Sequence, residues 1–426
     1  MKKNLCLLLG LILVMTVFAG CNIIPEDNAD SNNDETLEDT ESENINTVDI
    51  WDGSIADRFS SGSGTADDPY KISTSSELAY LAQEVNNGNS YSNNYFVLSN
   101  DINLNQYEWV SIGDGVHYFE GSFDGNGHTV KNLKMTNGAN FTIHSTRKDY
   151  LSYTTGLFGV CLNATIKNLT VDTAELTIQN IVDRYTIMAG IVVGMMYSDT
   201  SFEISNVTVS NAIIKSNSTK TNMSYDLICG GVVGHIYGND NALGTLSLLQ
   251  SDTLISISSG ASTNNYLGGI VGSMYVERIC RIENCASYLD VNMDDNTARN
   301  NYFGAMGYVA SNNDVIHFVN IFSKVTVNKL WKYYGFPTYT ANAIAGLVGV
   351  GITEGCRYKF ENVFGAVEQY DTETGEGLTE LKLFDIPHSE IYAEITNSFG
   401  CERLPDSHFF NESIWDISDL SHPIIK

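Results

Sequence analysis

A glycine phrase returns along this chain at nearly fixed intervals, and it constrains the fold more than any other feature. It reads Gly156-Leu-Phe-Gly159, then Gly190-Ile-Val-Val-Gly194, Gly230-Gly-Val-Val-Gly234, Gly268-Gly-Ile-Val-Gly272, Gly304-Ala-Met-Gly307 and Gly346-Leu-Val-Gly349. The closing glycines lie 35, 40, 38, 35 and 42 residues apart. Most copies are followed by apolar-x-Asn-apolar, at Asn168, Asn206, Asn284, Asn320 and Asn362. In the third copy Leu248 stands at the asparagine position, and Asn132 reads as an earlier member, 36 residues before Asn168. A period of this size defines a solenoid or array, in which each repeat buries its apolar face only against its neighbours.

Within one repeat three stretches are rich in β-branched residues and bounded by small polar turns: Leu157 to Cys161, Thr165 to Val171 and Ala174 to Ile178. This pattern predicts short strands rather than helices. Stacked in register, they make an all-β, right-handed parallel β-helix. About seven coils at roughly 4.8 Å each would rise about 35 Å. Recurrent glycine inside strands marks close backbone approach or a corner. Asparagines at one coil position would form a side-chain ladder.

Other elements frame the array. Thr74-Ser-Ser-Glu77 is a capping box, and Leu78, Leu81 and Val85 continue it as an amphipathic helix ended by Asn87-Gly88. A helix there could cover the exposed edge of the first coil. Gly377 to Asp385 reads as a short helix, and Trp415, Ile417, Leu420, Ile424 and Ile425 as part of a far-end cap. The expected order is a signal peptide over 1–20, an acidic disordered tether over 21–50, an N-terminal cap with its helix over 51–95, repeats over 96–370 and a C-terminal cap over 371–426.

Residues 2 to 18 have the layout of an export signal, two lysines followed by an apolar run. The run ends Phe18-Ala-Gly-Cys21, which resembles the bacterial lipobox and implies a lipid on Cys21. Residues 22 to 49 carry ten acidic residues and no Lys or Arg, so they cannot bury a core. These features predict a chain lipid-anchored in a bacterial envelope, exposed at the surface, with the membrane as a partner. The net charge of −28 excludes a phosphate-backbone binder, so no nucleic-acid partner is expected. Six cysteines remain after Cys6 and Cys21; they form no Cys-x-x-Cys and read as buried thiols, with disulfides an open alternative.

Several stretches together carry a family resemblance: Trp51-Asp-Gly-Ser54, Gly62 to Ile72, Glu77 to Ala82, Asn100 to Leu104, Gly121 to Val130 and the Gly-Leu-Phe-Gly phrases. They are similar to bacterial GLUG-motif surface proteins, and to the non-catalytic β-helical region of IgA-protease-like proteins. The resemblance spans residues 51 to 370 and implies an adhesin-like surface β-helix.

No catalytic signature accompanies it. None of the eight histidines stands in His-Glu-x-x-His, and there is no phosphate loop or Gly-x-Ser-x-Gly elbow. No catalytic residue, metal ligand or cofactor is therefore assigned. Asp124-Gly-Asn-Gly-His128 reads as a tight turn rather than a site, and Asp67, Asp68, Asn100, Asp101 and Asn103 lack a calcium-loop spacing. Glu175, Glu203, Asp252, Glu277, Glu283, Asp290 and Glu361 fall in or near strands, so a polysaccharide lyase or glycosidase is the alternative to a binding module. The connecting stretches before each glycine strand contain Tyr150, Tyr153, Tyr185, Tyr225, Tyr266 and Tyr302, and are expected to emerge on one side as a binding face; the other reading is that Tyr266 and Tyr302 begin the next strand and pack on a coil corner. Residues 329–342 are richest, with Trp331, Tyr333, Tyr334, Phe336 and Tyr339, and are the candidate platform for an extracellular glycan or protein ligand.

Overall fold

The computed structural model describes residues 49–136, 142–147, 150–179, 185–217, 226–260, 264–278, 280–296, 300–311, 315–328, 341–344, 348–350, 357–370, 377–380, 392–396, 399–400 and 410–426. Two large sheets, almost wholly parallel, wind into a β-solenoid. In the larger, Thr165–Asp172, Ser201–Asn217, Leu243–Gly260, Cys280–Asn296, Val315–Asn328 and Arg357–Tyr370 stack in order. Their register places Ile166, Ile204, Leu246, Ile282, Phe318 and Phe360 in one column, and all six are buried in the core. In the smaller sheet the glycine strands stack the same way, through Phe158–Leu162, Val193–Ser198, Val233–Gly238, Asn264–Val276 and Asn300–Ser311.

Asparagine bends the long strands. In Ser201–Asn217 the inward residues are Phe202 and Ile204, then Val207 and Val209, then Ala212 and Ile214. Strict alternation would turn position 206 inward. Instead Asn206 (φ 52°) and Asn211 (φ 51°) adopt the left-handed conformation, which shifts the phase by one residue and turns a corner while the apolar side stays inside. Asparagine tolerates this conformation better than other side chains. Positions 168, 248, 284, 320 and 362 repeat the corner with φ of 52 to 54°. The expected ladder is present: Asn168 Nδ2 donates to Asp124 Oδ1 (2.9 Å), Asn206 to Asn168 Oδ1 (2.8 Å), Asn320 to Asn284 Oδ1 (3.0 Å) and Asn362 to Asn320 Oδ1 (2.9 Å).

Asn132 does not belong to this column. It sits at the next corner, where Asn132 Nδ2 donates to Asn103 Oδ1 (2.8 Å), and its coil equivalents are Thr173 and Asn211, all three with positive φ. The 36-residue spacing matched by coincidence, because the early coil has Gly125 opposite Asn168 and supplies the acceptor from the adjacent Asp124.

The helix Ser75–Asn86 begins at the Thr74 N-cap. Glu77 returns the capping-box bond and also accepts from Ser73 N (2.7 Å) and Ser60 N (2.8 Å). Its face of Leu78, Leu81, Ala82 and Val85 is buried in the main core. It lies on the crossover between the parallel strands Tyr70–Ile72 and Tyr95–Leu98.

Two further expectations change. Gly377–Glu380 is not helical; it pairs antiparallel with Val367 to Tyr370, because an open strand edge outweighs a weak local preference. The C-terminal segment does not lie across the far end. Phe410 and Trp415, with Ile414, Ile417, Leu420 and Ile425 around them, pack on Ala286, Tyr288, Phe322 and Phe364, which point outward from the larger sheet. Tyr288 Oη donates to Pro423 O (2.6 Å), and Ile425 N donates to Gln250 Oε1 (2.9 Å). The segment is a strap along the flank. Cys161, Cys229, Cys280 and Cys285 are buried free thiols, and burial pushes Cys280 and Cys285 up to about 12. Cys356 and Cys401 lie outside the described residues.

Candidate functional site: an outer tyrosine face at the glycine corner

The glycine phrase is a sharp corner between two arms of each coil. Tyr185–Gly190, Asp226–Gly230 and the first halves of Asn264–Val276 and Asn300–Ser311 form the arms before it. A Cβ on Gly234 would sit 2.5 Å from Gly194 O and 2.8 Å from Ala189 N; on Gly272, 2.6 Å from Gly234 O and 2.7 Å from Cys229 C. Only glycine lets the second arm pass so close to the backbone of the preceding coil.

This approach brings the outer faces of the two arms together. Met188 and Ile228, before the corner, join Val160 and Met195, after it, in a cluster separate from the main core, although these side chains point away from the interior. Tyr118, Tyr197, Tyr237 and Tyr266 pack against that cluster. Tyr266, before the corner, meets Tyr308, after it, at 5.3 Å between ring centroids.

Parallel register turns single tyrosines into columns. Tyr197, Tyr237 and Tyr275 are register partners, with centroids 5.5 and 5.4 Å apart and planes 5° and 17° from parallel. Tyr266 and Tyr302 stack likewise, at 5.1 Å and 12°. Tyr275 Oη donates to Glu277 Oε1 (3.1 Å), and His235 Nδ1 lies 2.6 Å from Ser273 Oγ. Asp226 accepts from Asn264 Nδ2 (2.7 Å); burial raises its carboxyl above the usual range, against the lowering effect of that bond. Burial likewise raises the Tyr237, Tyr275 and Tyr302 phenols.

The sequence left Tyr266 and Tyr302 either on a loop face or at the start of the next strand, and the structure gives the strand; Tyr150, Tyr153 and Tyr185, read as loop residues, are corrected. Tyr150, Tyr153, Tyr185, Tyr266 and Tyr302 all lie within strands. Tyr225 and the aromatic-rich residues Trp331, Tyr333, Tyr334, Phe336 and Tyr339 lie outside the described residues, as does Cys21. The columns through Tyr197, Tyr237 and Tyr275 were missed. Their signal was present: each stands three residues after the closing glycine of its repeat.

The other candidates resolve into structure. Asp124 Oδ1 accepts from Asn126 N (2.8 Å) in a turn and starts the asparagine ladder, while Asp101 holds His128 Nδ1 (3.2 Å) and Thr129 N (3.0 Å). Asn100 donates to Ser73 O, and Asn103 accepts from Asn105 N and Asn132. Among the described residues no three His, Cys, Asp or Glu side chains gather as a metal site. Of the strand carboxylates, Glu175 pairs with Lys215 and Glu283 with Arg281, each at 2.7 Å. Glu203 accepts from Ser205 Oγ (2.6 Å). Asp252 is raised by burial and by the Asp290 charge, and lowered by His422.

Fold and face together define a repeat-built parallel β-solenoid with an aromatic outer corner. No family model matches the chain. A protein described as "Putative Gly-rich membrane protein" from Evansella cellulosilytica is 31% identical over 128 residues, covering 28% of this chain and 13% of that protein. "Halomucin" from Haloquadratum walsbyi is 29% identical over 186 residues, 41% of this chain and 2% of that protein. The chain thus spans a small fraction of both curated relatives. A crystal structure described as a "putative immunoglobulin A1 protease" from Bacteroides ovatus aligns at 16% identity with a TM-score of 0.43, over 86% of this chain and 95% of that one.

Proposed function

We propose that this chain is a lipid-anchored bacterial surface protein of GLUG type, whose solenoid binds a glycan or protein ligand in adhesion and performs no catalysis. The observation that carries the reading is the outward tyrosine face: rings on successive coils, half-buried, flank a glycine corner outside the main core. Aromatic rings give contact area at low entropic cost and hold a hydroxyl at the rim. Trp331, Tyr333, Tyr334, Phe336 and Tyr339, which lie outside the described residues, remain the proposed ligand platform on the strength of their sequence alone. The Ala19-Gly20-Cys21 signal and acidic tether supply the anchor, and the partial relatives, one described as a membrane protein and one as a halomucin, agree with an envelope setting.

Two measurements test it. Cys21→Ala should abolish labelling by a fatty-acid probe, and persistent labelling removes the lipoprotein reading. The intact chain should bind targets in a glycan and cell-surface protein screen, and Trp331→Ala with Tyr333→Ala and Tyr334→Ala should lose that binding with melting unchanged. Unaltered binding places the ligand elsewhere. The hydrolase alternative rests on Asp252, raised beside Asp290. Release of reducing ends from a polysaccharide panel, lost in Asp252→Asn, would favour it over pure binding.

A further inference from the structure

The tyrosine column has a chemical consequence independent of any ligand. Tyr197, Tyr237 and Tyr275 occupy one register line of parallel strands, so equivalent ring atoms lie over one another, at centroid distances of 5.5 and 5.4 Å. The planes are nearly parallel, at 5° and 17°. All three side chains are half-buried, so each ring keeps an edge at the surface and can tilt toward its neighbour. Backbone pairing on both sides of the column fixes the rings as neighbours before any reaction, which raises their effective concentration far above that of free phenols.

We propose that this column is a site of oxidative dityrosine cross-linking, in which a peroxidase using hydrogen peroxide joins Tyr237 to Tyr197 or to Tyr275 within one chain. Each phenol gives one electron to the oxidised peroxidase and releases one proton. For Tyr275 the first acceptor is Glu277, whose Oε1 already takes its hydroxyl at 3.1 Å; elsewhere it is water. The two phenoxyl radicals join through the ring carbons beside their oxygens, and two ring hydrogens shift to the oxygens to restore both phenols. Two electrons and two protons leave in all, and they reduce one hydrogen peroxide to two waters. Burial raises the Tyr237 and Tyr275 phenols above their ordinary range, so both are neutral at pH 7 and proton and electron depart together.

The product is a covalent rung between adjacent coils, closing a loop of 40 residues (197 to 237) or 38 (237 to 275). Such a loop restrains the unfolded chain as a disulfide does, without a thiol. The described cysteines of this protein are buried and unpaired.

The test exposes the intact, purified chain to peroxidase and hydrogen peroxide at dilution. Dityrosine emission should appear in the monomer band of a denaturing gel, with peptides containing 197 and 237, or 237 and 275, joined and lighter by two hydrogen atoms. Tm should rise. Tyr237→Phe keeps the ring and should remove both links, whereas Tyr197→Phe and Tyr275→Phe should each remove one; circular dichroism checks that all three variants fold. The proposal is overturned if the emission is confined to multimers, or if Tyr237→Phe leaves the monomer signal intact. It is also overturned if joined peptides come mainly from the exposed Tyr95 and Tyr107, which are 39% and 46% accessible.

Discussion

Leu248 adopts φ +54° at a corner where the neighbouring coils place Asn206 and Asn284. A leucine there takes on roughly 1–2 kcal/mol of left-handed strain and interrupts a polar ladder. Leu248→Asn should therefore stabilise the protein by about 1 kcal/mol, as relieved strain and restored amide bonds add, and chemical denaturation would read it directly. An unchanged midpoint removes the argument. The reverse change, Asn320→Leu, breaks bonds to Asn284 and Asn362 and should cost about 1–3 kcal/mol. The recurrence of asparagine was legible in the sequence, but its cause was not. Spacing alone suggested a ladder, whereas the conformation explains why Leu248 keeps the corner without any amide. Asp226 gives a pH test. Burial raises its folded pKa, so its favourable contribution is complete below its unfolded pKa and is lost as pH climbs through the folded value. Asp226→Asn should raise Tm at pH 7, with the gain vanishing near pH 3; a gain independent of pH would contradict the linkage.

The glycine corner decides what each repeat can present. Gly234→Ala would push a methyl into Gly194 O and the Ala189 backbone, neither of which can yield as a side chain would. Overpacking of this kind costs about 1–3 kcal/mol, and it should also lower dityrosine yield by separating Tyr197 from Tyr237. Unaltered melting in Gly234→Ala would mean the corner is looser than its contacts require. The corner's presence was legible from repeated glycine. The strands leading into it were not, because Asn264-Asn-Tyr266 and Asn300-Asn-Tyr302 look like turn sequence. They hold as strands because Asn265 Nδ2 donates to Asn301 Oδ1 at 2.7 Å inside the solenoid, so the polar residues satisfy one another across coils. A reading of one repeat at a time cannot see a partner that lies 36 residues away.

Across the whole molecule the solenoid class was legible from period and strand composition, since stacking in register follows once each repeat carries the same inward pattern. The flank position of residues 410–426 was not, because an apolar terminal stretch says that it must be buried and not where. The outward positions that receive it, Ala286, Tyr288, Phe322 and Phe364, come together as one patch of the larger sheet only once the register is known. That strap changes the thermodynamic character of the array. An unadorned solenoid behaves as a one-dimensional chain, in which coils can melt from an end with only nearest-neighbour coupling. Here the strap touches four successive strands of the larger sheet, from Gln250 to Phe364, so those coils must open together or shed it first. The C-terminal half should therefore melt as a single cooperative block, while the coils before Leu243 retain freedom to fray one at a time.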